Sequence, residues 1–554
     1  MRLWQKKLRA AEPWAKRICL ALLFLCPVSC RDERAVLVLP AGSDDAGFGD
    51  APSENGVRVV VNVNAVIREI SPLIYGFHLP DGPSIEAVDY LALRPTLLRV
   101  PGFRPVTYNW EINATNGGSS WCNENGQASG PAEPLGFVAA AAETASKLGA
   151  TLAVTVPMSD FVSADTNGGS GPPGCSGDVR KTPNHLMTRF VSNVPAASAA
   201  LGASPDLVDG RVYQDHMVTW LRRKYPSLPV VFELDRYPDV RTSFHPELFS
   251  QPIGYDELCT RSVRFASAIK TTWPESVIVG PIVSGWSGLV ALGPVTERGA
   301  KGDFFAYYLR CFENTKPKGH LLNALAFSWG SGASAGGESV GGSGTSDAVV
   351  KARVQAPRSL WDPTFIEDSS AGQSEGALRL LPRLSEVIEK VDPDVGVDIN
   401  EWSFGGTDHP SGAVAAADAL GIFGKLGVRM AVLRWHQEPQ RFSLAALRMF
   451  RNFDGNGTAF ASTAVQVSSS NAEFVTAYAS KDRDGGVYVV VINKDQADRS
   501  VQLSVPDISS TTVWRVFRID PKSAKPVRGA DVAGRTTPLV FPPLSVNLLY
   551  APKP

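Results

Sequence analysis

The stretch Val395-Gly-Val-Asp-Ile-Asn-Glu-Trp-Ser-Phe-Gly-Gly406 carries a carboxylate, Glu401, at the top of an apolar β-type run that two glycines then end. A carboxylate held at a strand end can act as a general acid or base, or as a nucleophile that forms an ester. The bland use of the same residue is a surface ion pair. A second acidic group lies earlier in the chain, where Glu233, Asp235 and Asp239 surround the end of another apolar run. Flat aromatic faces that could stack on sugar rings follow several such runs: Trp110, Trp121, Trp329, Trp402 and Trp435. The competing use of each is a packed rim aromatic. His78, His409 and His436 have no partner at metal-ligand spacing, so they read as structural histidines.

These residues need a frame, and the apolar periodicity supplies one. Apolar runs ending in polar or aromatic residues recur at Leu73–His78, Leu97–Pro101, Thr151–Pro157, Val230–Pro238, Val277–Ser284, Leu321–Trp329, Val395–Ser403 and Met430–His436. Helical patterns lie between them at Val212–Tyr225, Tyr255–Trp273, Phe304–Phe312, Ala377–Val391 and Ala413–Leu426. Eight buried strands with intervening helices predict an α/β fold, a (β/α)8 TIM barrel over residues 71–465. Such barrels keep reactive groups at the C-terminal ends of their strands. Residues 330–346, nearly all Gly, Ser and Ala, read as a mobile loop at the mouth. From residue 466 the pattern changes to short alternating strands without helices, which predicts an associated β-sandwich to residue 554. The alternating valines Val57, Val59, Val61 and Val63, within residues 57–70, predict a strand that joins it from the other end of the chain.

The 554 residues, 44% hydrophobic and 20% charged, suffice for a large core plus a second module. Six basic residues precede the apolar run Ile18–Leu25 and then Cys26-Pro-Val-Ser-Cys30, which reads as an export signal over residues 1–30. Cys30 is the expected lipidation site, with plain secretion as the alternative. Residues 31–56 read as a polar tether, and the membrane is expected to be met through the lipid alone. Without residues 1–29 the chain has 48 Lys+Arg against 54 Asp+Glu, which argues against a nucleic-acid partner. No cysteine shows metal spacing, so no cofactor or metal is expected, and the chain is expected to be a monomer. Cys122 and Cys175 both lie in glycine-rich loops and are expected to pair; Cys259 and Cys311 sit in helical patterns and are expected to be buried thiols.

Several stretches resemble glycoside hydrolase family 44, the β-1,4-glucan endohydrolases that include xyloglucanases. They are Ile70-Ser-Pro-Leu-Ile-Tyr-Gly76, the loop Tyr108 to Trp121, Val212-Tyr-Gln-Asp215, Gln251-Pro252 with Tyr255-Asp-Glu-Leu258, Leu360-Trp-Asp-Pro363 and Phe450-Arg-Asn-Phe-Asp-Gly455. The resemblance implies a barrel plus a β-sandwich and a β-glucan substrate of the cellulose or xyloglucan type. It also makes Glu401 the nucleophile of a retaining mechanism, since Glu401-Trp-Ser-Phe-Gly-Gly and Asp408-His-Pro-Ser-Gly412 match the family pattern. On that reading Glu401→Gln should leave stability nearly unchanged.

The chain departs from the family where the proton donor belongs. The family's Leu-Asp-Asn-Glu-Pro is here Leu234-Asp-Arg-Tyr-Pro238, so Tyr237 occupies the acid/base position and Arg236 replaces Asn. Ser328-Trp-Gly330 replaces His-Trp-Tyr, and Pro101-Gly-Phe-Arg104 replaces Gly-Gly-Asn-Arg, leaving Arg104 as a substrate-binding candidate. A phenol titrates near pH ~10, too high for a general acid or base near neutrality, and such catalysis is worth roughly 10²–10⁴-fold. Strand alternation would put Glu233 and Asp235 on the face of Tyr237 but deeper in the barrel. Asp239 is the one nearby acid that a bent loop could bring into place. The expectation is therefore a glycan-binding protein of hydrolase ancestry with hydrolysis weak or lost, against an active retaining enzyme that uses Asp239.

Overall fold

The computed structural model describes residues 56–80, 88–100, 104–168, 177–293, 297–315 and 320–553. Cys30, the tether, Cys175 and the side chain of Arg104 lie outside the described residues.

Eight parallel strands close into a barrel: Gly76–His78, Leu97–Arg99, Thr151–Val156, Val230–Leu234, Val277–Val283, Ala324–Gly330, Gly396–Ser403 and Met430–Leu433. Seven of them fall within a run picked out by its apolar pattern, and Ala324–Gly330 passes the end of its run by one residue. The helices form the outer ring, and they include Gln214–Lys224, Tyr255–Thr272, Phe304–Glu313, Leu380–Val391 and Pro410–Leu426. The last of these is capped by His409, whose side chain accepts from the Ser411 N–H, with Pro410 in its first turn. It is apolar nearly all round and buried on almost every side, because the second module packs against it.

That module is the expected β-sandwich, formed by one mostly antiparallel sheet of ten strands. Residues from its whole width, Trp514 and Leu549 at one side and Leu503 and Phe541 at the other, meet in one core with Val57, Val59 and Val61. The sheet must therefore curl over itself. The N-terminal strand Gly56–Glu69 lies inside it, antiparallel to Thr463–Ser469 and parallel to Arg499–Ser504. The strand Val487–Asn493 shows why its apolar run is unbroken. Val487, Val489 and Val491 face the sheet's own core, while Tyr488, Val490 and Ile492 belong to the barrel's core. One ion pair is sealed between the two modules: Lys494 meets Asp418 of helix Pro410–Leu426 at 2.6 Å, and Thr476 and Tyr478 each donate to the same carboxylate at 2.7 Å.

Two expectations are corrected. Cys259 and Cys311 form a disulfide with Cα atoms 6.2 Å apart, joining two neighbouring outer helices. The helical pattern of both segments hid this, because it says nothing about which helices face each other. The Gly/Ser segment after Gly330 is also not a free loop. It forms a hairpin, Ser334–Ala335 with Glu338–Ser339, and the buried Arg353 then donates to the carbonyls of Val340, Gly342 and Gly344 at 2.8–3.0 Å. Gly405 and Gly406 lie against this segment at positive φ, where an added Cβ would come within 2.4 Å of Gly341 or Arg353. Cys122 is disulfide-bonded, but its expected partner Cys175 lies outside the described residues.

Candidate active site

Six barrel strands or the turns after them send polar groups to the C-terminal end of the barrel axis. Glu401 comes from the seventh strand and is 4% exposed. Its Oε2 meets Arg236 Nη2 at 2.5 Å and Arg99 Nη1 at 3.5 Å, and its Oε1 meets Arg434 Nε at 2.5 Å. Both oxygens are thus engaged by guanidinium groups from the second strand and from the turns after the fourth and eighth. Burial would raise the Glu401 pKa, but Arg236, Arg434 and Arg99 together hold it well below the usual carboxylate range. Burial also lowers His78, at the end of the first strand, to about 3, so that ring is neutral. Below Glu401, Arg99 Nε donates to both oxygens of Glu233 at 3.0 and 2.9 Å, and Thr155 and Asn400 donate to it as well. Glu233 is therefore a structural counter-ion on the barrel floor.

Tyr237 enters the same space through a break in the strand. Asp235 and Tyr237 both have positive φ, 62° and 52°, and the Tyr237 N–H donates to the Ile282 carbonyl of the fifth strand. Each left-handed non-glycine residue costs about 1–2 kcal/mol, which burial of the aromatic ring offsets. The ring belongs to the apolar cluster inside the barrel that also holds Leu97, Ala153, Val279 and Val432, its centroid lies 6.3 Å from that of Phe244, and its hydroxyl donates to Ser328 Oγ at 2.9 Å. The Arg236 guanidinium lies 4.5 Å from the ring centroid, so Arg236 is held between the phenol and Glu401. The same break overturns simple alternation at Asp235. Burial raises its carboxyl to about 6, against the opposing pull of the Arg236 N–H and of the Arg261 and Arg241 charges.

Asp239 does not stand as a free acid. Its carboxylate accepts from the Ser284 N–H at 3.0 and 3.2 Å and from Ser284 Oγ at 2.5 Å. It also packs so closely on Gly288 that a Cβ there would sit 2.6 Å from Oδ2. Its role is to tie the turn after the fourth strand to the loop after the fifth.

The aromatic candidates divide. Trp110 is fully buried, donates to the Tyr213 carbonyl at 3.0 Å and packs on Trp220, so it is core and not a sugar platform. Trp402 is 1% exposed and packs on Phe404 and Phe423. It follows the inward-facing Glu401, so pleating turns it out to the helices. Trp121 is 43% exposed at the end of a 3-10 turn, and Trp435 is half-buried, edge-on to Phe77 and next to Arg434. Trp329 lines a cavity of about 510 Å³ beside the centre, together with Ser284, Trp286, Glu367 and Ser370. The backbone of Arg104 lies in a 3-10 turn, Arg104–Thr107. Sequence reasoning missed Arg99 and Arg434, whose signal was a lone cation ending the apolar runs Leu97-Leu-Arg99 and Val432-Leu-Arg434. Among the described residues there is no group of His, Cys, Asp and Glu suited to holding a metal ion.

A barrel with a strand-end carboxylate and a curled sheet built from both chain ends has close relatives. The family model for glycoside hydrolase family 44 matches residues 114–331. Endoglucanase A of Paenibacillus lautus is 31% identical over 518 residues, covering 88% of this chain and 71% of that protein. A family 44 xyloglucanase from Paenibacillus polymyxa, solved with xyloglucan, superposes with a TM-score of 0.83 at 27% identity, covering 90% of this chain and 99% of that one. A family 44 endoglucanase from Clostridium thermocellum superposes at 0.81 with 28% identity, covering 90% and 100%. On this evidence of fold and sequence together, the chain belongs to glycoside hydrolase family 44.

Proposed function

We propose that this chain binds β-1,4-glucans of the cellulose or xyloglucan type and has lost, or nearly lost, their hydrolysis. The observation that carries this is Arg236 bound to Glu401 at 2.5 Å beside Tyr237, at the two positions where the resemblance implies Asn and Glu. A retaining glycosidase needs a nucleophile with a free oxygen and a second carboxyl group that gives up and takes back a proton. Here both oxygens of Glu401 are paired to cations, which lowers its basicity, and the partner group is a phenol bonded to Ser328. The reading that keeps an active enzyme depends on Asp239, whose carboxylate is committed to Ser284. Export, with a lipid on Cys30, belongs to the same proposal. The Cys259–Cys311 disulfide supports it, because such bonds persist in oxidising compartments.

The test is reducing-sugar release from xyloglucan and carboxymethylcellulose, run beside a pull-down on insoluble glucan. Binding without release is the expected result. Release at about 1–10³ per second, the ordinary range for enzymes, would return the chain to the active members of its family.

A further inference from the structure

The charges that meet at Glu401 do not balance. Three guanidinium groups, those of Arg99, Arg236 and Arg434, share two carboxylates, because Glu401 contacts all three and Glu233 is bound to Arg99. His78 adds nothing to either side, since burial keeps its ring neutral. Burial also lowers the pKa of His436, whose Nε2 lies 3.1 Å from Ser403 Oγ. The cluster therefore carries one positive charge in excess, inside a mouth whose low-dielectric walls screen it poorly. Arg236 accounts for the surplus. It stands where the resemblance implies a neutral Asn, and without it Arg99 and Arg434 would match the two carboxylates.

The three cations are not equally placed. Arg99 and Arg236 are buried, whereas the Arg434 side chain is 38% exposed, so of the three it alone offers surface to a ligand. Arg434 follows the eighth strand, Met430–Leu433, and turns its Nε to Glu401 at 2.5 Å. That Nε is buried, while both terminal nitrogens keep solvent-accessible surface and have no hydrogen-bond acceptor among the described residues. Glu438, exposed in the turn beyond, makes no ion pair with it. A guanidinium is a planar fork, and the edge left open matches the two oxygens of a carboxylate better than any single hydroxyl. On a β-1,4-linked glucose chain the carbon that can carry a carboxylate without disturbing ring or linkage is C6, which projects from the ring edge.

We propose that the glucan this mouth prefers is an acidic one, with the C6 carboxylate of a uronate unit received by the terminal nitrogens of Arg434. The proposal rests on the glucan-binding reading and names the class of chain within it. A neutral unit leaves the surplus charge to salt ions, whereas a uronate neutralises it through two parallel N–H···O bonds.

The test is calorimetric titration of the full chain, parent and Arg434→Gln, with cellopentaose, with cellopentaose oxidised to the carboxylate at C6, and with free glucuronate, each at low and at high salt. Thermal unfolding checks that the variant keeps its fold, and the parent's own preference and its salt dependence decide the matter if it does not. The expected result is that the parent binds the oxidised chain about tenfold or more tighter than the neutral one at low salt, that the gap narrows at high salt, and that Arg434→Gln removes most of it. Equal affinity of the parent for both chains would overturn the acidic preference while leaving glucan binding in place. A preference undiminished in folded Arg434→Gln would overturn the role of Arg434. Free glucuronate bound as tightly as the oxidised chain would overturn recognition of a glucan in favour of a small-anion site. A parent that binds neither chain would overturn both this inference and the glucan-binding reading.

Discussion

Arg236 Nη2 and Glu401 Oε2 lie 2.5 Å apart inside the mouth of the barrel, with the Tyr237 ring closing the other side of the guanidinium at 4.5 Å. A group that could attack an anomeric carbon is thereby held as the counter-ion of three arginines. The consequences for stability differ from those of a poised nucleophile.

Glu401→Gln should now destabilise the protein by about 3–5 kcal/mol at neutral pH, since it strands buried guanidinium groups without their carboxylate. The amide swap expected to be silent from sequence becomes costly because Arg99, Arg236 and Arg434 converge on one residue. The folded pKa of Glu401 is depressed, so its contribution is present above the unfolded value near ~4.5 and lost as pH falls through the folded value. Adding Arg236→Asn to Glu401→Gln should recover part of the loss. Thermal melts of the parent and both variants at pH 7 measure this, and an unchanged melting temperature for Glu401→Gln would speak against the clamp.

Asp418→Ala should lower stability by about 3–5 kcal/mol and keep a single unfolding transition. The pair with Lys494 is 1% exposed at both ends and joins the curled sheet to a barrel helix. Truncation near residue 465 should for the same reason give insoluble protein, because it exposes the faces of Tyr488, Val490 and Ile492's barrel partners. Calorimetry that resolved a separately melting sheet would contradict one cooperative body.

Reducing Cys259–Cys311, or replacing Cys311 with Ser, should cost about 4 kcal/mol by the loop-closure estimate for a sequence separation of 52 residues. Denaturant midpoints with and without reductant, compared with the Cys311→Ser variant, check this. A reductant effect that persists undiminished in the variant would assign it to Cys122 instead.

Glu111 should make the protein less stable as pH rises. Burial, with Asp209 and Asp206 nearby, raises its pKa from 4.5 to about 8. A raised carboxyl binds its proton more tightly in the folded state, so stability declines between roughly pH 4.5 and 8. Melts across that window should show a slope that Glu111→Gln flattens. An unaltered slope in the variant would place the dependence elsewhere.

The barrel strands were legible because a strand buried on both faces leaves a continuous apolar run, and each run has polar neighbours to end it. Glu401 was legible for the same reason. Trp402 could have been assigned to the core by the same pleating that turns Glu401 inward, but Trp110 could not, since its burial depends on Trp220 far along the chain. The Cys259–Cys311 bond and the Arg353 clasp of the Gly/Ser segment are contacts between distant segments that leave no periodic trace. The shared face expected for Asp235 and Tyr237 was misread, because positive φ at both residues breaks the alternation on which that expectation relied.

The central claim is that Arg236 and Tyr237 silence an otherwise ancestral centre, and the direct measurement is turnover of xyloglucan and of an aryl cellobioside by the parent and by Arg236→Asn/Tyr237→Glu. The aryl leaving group needs little protonation, so it reports on Glu401 alone, whereas xyloglucan needs both groups. The account predicts a parent without xyloglucan turnover and a double variant that gains it by about 10²-fold or more. A parent that already cleaves xyloglucan at ordinary glycosidase rates, and loses that activity in Asp239→Asn, would contradict it.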